Sequence, residues 1–319
     1  MQQAAEIKLG SMTHDQKCYL SSFYGWAKTY LRLPIYDRAE PRPIREVRAE
    51  DGTLLYTVHE GDWQQRAINA VDKHNSRVTV RTCNGAGKTT TLIPGVVLPH
   101  MALFPNSKVV ITSGVDRQVR DQIFPALRAH EGKLREWKFN DMRIEAPNGA
   151  VCIGFSTDSG GKFEGWHGNK EELFDLFASK GPLLIIVDEA KSVAQDIYDA
   201  IERCTYQRLL YCSSCGPASG EFHASHHGKA RNFTAVIKVP ASECPHADHD
   251  KNVRLIAERG LDDLLVRSKV FADFMTLPGE NVIDRAIVDV AMGNPPPARG
   301  ADRKYMCDFA AGGDENVFG

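Results

Sequence analysis

The apolar positions of this chain fall into short runs separated by longer stretches with helical spacing. Six runs read as strands: RVTV (77–80), KVVIT (108–112), AVCIGF (150–155), PLLIIVDE (182–189), RLLYCSS (208–214) and TAVIKV (234–239). Several are apolar throughout instead of alternating, the pattern of strands covered on both faces. Between them, DRQVRDQIFPALRAHEGKL (116–134) and SVAQDIYDAIERC (192–204) space their apolar residues for helices. Repetition of strand, helix and strand predicts an α/β fold with a mainly parallel sheet flanked by helices. Residues 1–60 are mixed, with a proline-rich turn at PIYDRAEPRPI (34–44), and predict a helical N-terminal segment and a connector. Near the other end, AMGNPPPARGADRK (291–304) reads as a linker, because consecutive prolines cannot continue a helix or a central strand. One more apolar strand and a turn follow in YMCDFAAGGDENVFG (305–319). The expected organisation is a segment 1–60, a core 61–240, a C-terminal subdomain with linker 241–300, and a short element 301–319.

Bulk composition narrows the function only slightly. The 319 residues carry 39 lysines and arginines against 41 aspartates and glutamates. Near-neutral charge gives no global field for nucleic acid, so any basic surface must be local. No apolar run is long enough to span a bilayer, and the N-terminus lacks a basic flank followed by an apolar stretch. Eight cysteines scattered through a chain of this size fit reduced thiols in a cytosolic compartment better than a disulfide framework.

The sharpest chemical signal is RTCNGAGKTTT (81–91), directly after the first strand. A glycine-rich turn ending in Gly-Lys-Thr at the start of a helix aims backbone N–H groups at nucleotide phosphates. Gly85 and Gly87 permit the unusual dihedrals, with Asn84, Ala86 and Thr90 completing the cradle. Lys88 would reach the β- and γ-phosphates, and the Thr89 hydroxyl would bind Mg²⁺. The strict pattern has a glycine where this chain has Thr82, a small residue at the start of the turn. Pro94 follows about two turns later, where it is expected to bend or end the helix.

A phosphate loop needs a carboxylate delivered by a second strand, and LLIIVDEA supplies one. Asp188 would hold the metal and Glu189 would polarise the attacking water, so the expected reaction is ATP hydrolysis. Upstream, GDWQQRAINAV (61–71) places Trp63, Ala67, Ile68 and Val71 on one helical face, with Asp62 as the expected cap. Gln64 or Gln65 would then hydrogen-bond the adenine edge. Arg81 would stabilise transition-state charge from within the chain, whereas Arg117, Arg120, Arg128 or Arg135 would serve a neighbouring subunit. Ser213 and Ser214, at the end of the fifth strand, would sense the γ-phosphate. A competing reading of the same region is zinc, held by Cys212 and Cys215 with nearby histidines, or with Cys244, His246 and His249.

Taken in order, these pieces resemble the large terminase subunit of tailed bacteriophages. They are DWQQ, VRTCNGAGKTT, VVITSGVDRQVRDQIF, GKFEGWHG (161–168), LLIIVDEA, CSSCGP and RSKVFADFMTLPGENVIDRAIVDVA (267–291), and they cover roughly residues 60–319. The resemblance implies a P-loop NTPase of the additional-strand, catalytic-glutamate type, an ATP- and Mg²⁺-dependent motor that drives double-stranded DNA into a procapsid. It implies work in the host cytoplasm as a ring, of five subunits, with a portal protein and a small terminase subunit. In that family the ATPase leads into an RNase H-like nuclease, and Asp308 resembles its first metal ligand. The chain stops at Gly319, so ATP hydrolysis without DNA cleavage is expected. Two alternatives stay open: a helicase-like or remodelling nucleic-acid ATPase, and a nucleotide-binding adaptor docking on a viral portal. Basic stretches at 38–48 and 226–232 are the candidate DNA contacts.

Overall fold

A computed structural model of the chain describes residues 13–156 and 181–276, with the backbone of 307–308 and 317–318. The chain divides into two compact units, Met1–Met275 and Thr276–Gly319. In the first, β1 (Arg42–Arg48) and β2 (Leu54–Glu60) form an antiparallel hairpin. The main sheet contains β3 (Ser76–Thr82), β4 (Lys108–Ser113), β5 (Lys138–Phe139), β6 (Arg143–Glu145) and β7 (Val151–Ser156). It is completed by β8 (Leu183–Asp188), β9 (Arg208–Ser214) and β10 (Ala235–Val239). Its order is β10-β3-β9-β8-β4-β7-β6-β5. The first six are mutually parallel, and β6 and β5 add an antiparallel edge. In the second unit, β11 (Cys307–Asp308) pairs antiparallel with β12 (Val317–Phe318). The motif GKFEGWHG and the linker 291–304 lie outside the described residues.

The six apolar runs are the six parallel strands. Every residue of β8 and of β9 is buried, as a two-sided strand demands. Their side chains alternate between two cores. Val78, Val80, Ile111, Leu184, Ile186 and Leu210 face helices Trp63–Asp72 and Ile93–Leu103. Val110, Ile185, Val187, Leu209 and Tyr211 face helices Gln195–Glu202 and Gly220–His226. Strand β9 stands between β3 and β8, which makes it the additional strand. The register sets Thr82 opposite Ser214, Cys212 opposite Asp188, and Asp188 opposite Ser113. The carboxyl ends of β3, β9, β8 and β4 therefore finish at one edge, where parallel α/β sheets place their ligands.

Helices pass their prolines through local widening. A π-turn, Lys88–Leu92, precedes the α-helix Ile93–Leu103, and Pro94 sits at the second position of that helix. A missing N–H costs little in a first turn. The helix expected to bend or end at Pro94 thus runs on to Leu103, even past Pro99. The same device recurs at Val119–Ile123, before Pro125. Asp62 stands at the cap position of Trp63–Asp72, but its carboxylate makes no capping bond and instead accepts from Arg66 Nε at 2.7 Å.

The N-terminal helices His14–Leu20 and Phe23–Trp26 were legible as helical; the hairpin behind them was not expected from the sequence. A buried cation fixes this segment to the sheet. Arg208 Nη2 donates to Asp72 O at 2.8 Å, and its guanidinium lies over Phe104 and Phe23. Asp72 Oδ2 in turn accepts from Phe23 N at 3.1 Å. Replacing Arg208 by alanine removes the buried guanidinium that faces the half-buried Asp72 and opens a cavity between two rings. The expected loss is about 3 kcal/mol, read from urea midpoints. Among the described residues no helix is long and apolar enough to cross a membrane.

Candidate functional site

Strand β3 ends at Thr82 and the chain turns through Cys83–Gly87 into the helix that opens at Lys88. Gly85 (φ 72°) and Gly87 (φ 84°) adopt the left-handed conformation that the turn requires. The loop is tied from behind, where Cys83 N donates to Val239 O and Asn84 N to Lys269 O. An open cleft of about 470 Å³ lies over it. Asn84 to Thr90 line one side, and Gln118, Gln122, Glu189, Ser214 and His246 the other.

Thr82 explains how the loop tolerates a missing glycine. Its hydroxyl donates to Cys83 O at 2.8 Å and accepts from Lys88 Nζ at 3.3 Å, so it shelters the lysine. Lys88 Nζ lies 3.9 Å from Glu189 Oε1. Burial alone would depress this ammonium, but the charges of Glu189 and Asp188 outweigh it and raise its pKa. Asp188 is fully buried at the tip of β8. Burial pushes its pKa up against the pull of Lys88. Its Oδ2 accepts from Gln118 Nε2 at 3.0 Å, and its Oδ1 from the Cys212 thiol at 3.3 Å.

Chemistry-bearing residues about a hundred positions apart in sequence thus converge. Lys88, Thr89, Thr90, Glu189 and Ser214 line one cleft, with Asp188 buried next to Glu189. Ser213 Oγ donates to Glu189 Oε2 at 3.4 Å. Of the two glutamines upstream, Gln64 is the buried one. Its Oε1 accepts from Tyr36 N at 2.9 Å, and a methyl group added at Gly87 would lie 3.3 Å from its Nε2.

Three contributors escaped the sequence. Gln118 and Gln122 are one helical turn apart after β4, and that i, i+4 polar pair beyond an apolar strand was the available signal. The sequence marks His246 only as a candidate zinc ligand with Cys244 and His249, not as a neighbour of the loop. Its Nδ1 is 2.7 Å from Tyr36 OH, the two rings stack, and its Nε2 would be 2.9 Å from a methyl group at Gly87. Burial lowers the His246 pKa, against hydrogen bonds to the backbone of Ala86 and Gly85.

Several candidates lie elsewhere. The Arg81 guanidinium sits over the Phe274 ring at 5.0 Å and is not among the residues lining the cleft. Strand alternation puts it on the same side as Thr79, which contacts Ser225 and His226, whereas Thr82 turns to Lys88. Arg117 is exposed beside Gln118 and pairs with Asp121 at 3.2 Å. Arg120 faces Asp141 at 3.9 Å, Arg128 donates to Asn140 O at 2.8 Å, and Arg135 is exposed. Among the described residues no group of three or more His, Cys, Asp or Glu is disposed to hold a metal ion, which removes the zinc alternative there. The basic stretch 38–48 is largely neutralised on the hairpin. Arg42 pairs with Glu60, Arg45 with Asp250 and Arg48 with Glu46. In 226–232, His226 is buried and Lys229 pairs with Glu221. Asp308 stands in β11 opposite Val317.

Neither a protein-family profile nor a curated protein matches the chain. Solved structures do. The large terminase of bacteriophage HK97 superposes with a TM-score of 0.52 at 14% identity, over 82% of this chain and 59% of that one. The large terminase of the thermophilic bacteriophage D6E, in complex with ADP, gives 0.50 at 11% identity, over 66% and 51%. Its complex with ATP-γ-S gives 0.50 at 12%, over 66% and 52%. The chain therefore spans about half the length of these proteins. At such identities the likeness is one of fold, and the resemblance in the ordered motifs holds at that level: this chain carries the α/β P-loop fold found in phage large terminases.

Proposed function

We propose that the chain is an ATPase whose turnover drives double-stranded DNA into a viral procapsid. One observation carries the ATPase reading: Lys88, beyond the end of β3, and Glu189, beyond the end of β8, meet in one cleft over a glycine loop, with the buried Asp188 adjacent to Glu189. DNA packaging rests on the ordered motifs together with the shared fold.

The residues divide the work by chemistry. Backbone N–H groups of the loop 84–88 cradle the phosphates at the start of a helix. Lys88, held off by Thr82 and Glu189, moves to the phosphate oxygens. Glu189 orients a water and accepts its proton as the phosphoryl group departs. The Thr89 hydroxyl and the Asp188 carboxylate form a hard oxygen donor set that suits Mg²⁺. Burial raises the Asp188 pKa in spite of Lys88, so this carboxylate would gain from a further cation. When bound, Mg²⁺ neutralises charge on the transferred phosphoryl group. Gln64 contacts the base, and Ser213 and Ser214 respond to the γ-phosphate. Arg117, exposed next to a cleft residue, is the best placed of the four arginines to serve a neighbouring subunit. The working form is a ring of five on a portal, with a small terminase subunit, in the host cytoplasm.

Phosphate release with Mg·ATP tests the enzymatic reading. Turnover is expected that requires Mg²⁺ and rises more steeply than protein concentration, because a neighbour completes each site. Absence of both ATP binding and hydrolysis at millimolar Mg·ATP would sink the assignment.

A further inference from the structure

Glu189 leaves β8 at φ 47°, a left-handed conformation that costs energy for a residue with a side chain. The turn it makes, Ala190–Ser192, brings Lys191 back over the site. The Lys191 ammonium stands 3.4 Å from Glu189 Oε2 and hydrogen-bonds Ser214 Oγ, while its backbone N–H faces Ser213 Oγ at 3.5 Å. Its methylenes lie on Gly216, where an added methyl group would meet them at 3.1 to 3.4 Å. Glu189 is therefore held from two sides, Oε1 by Lys88 and Oε2 by Lys191. Lys191 also lines a second cleft of about 390 Å³ that it shares with Glu189, Ser214, Gly216 and Met275.

The contact reaches further than the site. Beyond Ser214 the chain runs beside Met275: Met275 N donates to Gly216 O and Ala218 N to Met275 O, each at 2.8 Å, around a parallel bridge at Pro217. Met275 is the last residue of the first unit.

We propose that Lys191 is a positioning residue that links Glu189 to the 214–218 segment and so to the Met275 ladder. The proposal rests on the ATPase reading. A triphosphate in the loop commits Lys88 to phosphate oxygens and leaves Lys191 as the cation on Glu189. Release of the phosphates returns Lys88. The Lys191 contact to Ser214 thus has a different balance of charge with and without nucleotide, and the ladder at Gly216–Ala218 receives that difference. Surface lysine pairs of this kind contribute little to stability, so the expected signature lies in turnover and in the nucleotide response.

The test compares the parent chain with Lys191→Ala and Lys191→Arg. It measures ATP binding by fluorescence titration, steady-state turnover, and hydrogen exchange at the Ala218 and Met275 amides with and without ATP-γ-S. Lys191→Ala is expected to bind ATP within about threefold of the parent while kcat falls about tenfold or more. In that variant, exchange at Ala218 and Met275 no longer answers to nucleotide, and Lys191→Arg restores both properties in large part. Parent-like turnover in Lys191→Ala, or an intact nucleotide response at those amides, overturns the proposal. A parent chain without ATP turnover overturns the ATPase reading and this role with it. An active parent with an unaffected variant overturns this role alone.

Discussion

Glu189→Gln is expected to bind ATP about as tightly as the parent and to lose turnover by about a thousandfold, the usual scale for removing a general base. The amide is nearly isosteric and still accepts from Ser213, which now stands 3.4 Å from Oε2. It loses the charge that faces Lys88 and Lys191, and it cannot take a proton from water. The loop backbone is tied instead to Val239 O through Cys83 N and to Lys269 O through Asn84 N, so the phosphate cradle survives. Lys88→Ala is expected to do the reverse and abolish binding, because the cation that meets the phosphates is gone. That variant also leaves Asp188 buried opposite no ammonium, so a fall in thermal stability accompanies it. Separate titration and turnover measurements keep the two effects apart. If Glu189→Gln hydrolyses ATP at the parent rate, another group is the base and the assignment fails.

The parts that were legible share one property: each is dictated by burial on both faces or by backbone geometry. Strands β8 and β9 are buried at every position, so each carries an unbroken apolar run, 183–187 and 209–212, before its polar tip. The loop glycines at 85 and 87 declare themselves through a conformation that other residues avoid. The hairpin β1–β2 was hidden because most of β1 is exposed, so alternation is absent. Asp51-Gly52 at its turn, with Gly52 at φ 83°, was the signal that did exist. The pairing of Tyr36 with His246 was hidden for a different reason. They are 210 positions apart, and only the tertiary fold stacks them beside Gly87. Arg81 is a contrasting case. Proximity in sequence to the loop suggested a role, but a strand sends successive side chains to opposite faces, and Thr82 already occupies the face toward Lys88.

Acid is expected to destabilise the chain through its buried histidines well before most carboxylates titrate. His100 and His226 both have pKa values lowered to about 3, chiefly by burial. His100 sits between Phe23 and Phe104, with Nε2 3.2 Å from Pro182 O. Its Nδ1, like that of His226, is buried with no hydrogen-bond partner among the described residues. A second proton would therefore create a buried N–H without an acceptor, and Arg208 opposes the added charge. The folded state keeps both rings neutral at pH 5, whereas the unfolded chain protonates them below about pH 6.5. Stability is therefore complete above that value and declines as pH falls, by about 2 kcal/mol per ring between pH 7.5 and pH 5. Asp72, Asp188 and Glu243, whose burial raises their pKa values, act in the opposite direction. The informative quantity is consequently a difference between variants. His100→Gln retains a donor for Pro182 O and cannot titrate, so it is expected to lose about 2 kcal/mol of the pH dependence while remaining folded at pH 7.5. Urea midpoints at the two pH values measure it, provided the slope m is unchanged. Equal pH dependence in the parent and in His100→Gln would show that His100 is not held neutral by its position between Phe23, Phe104 and Arg208.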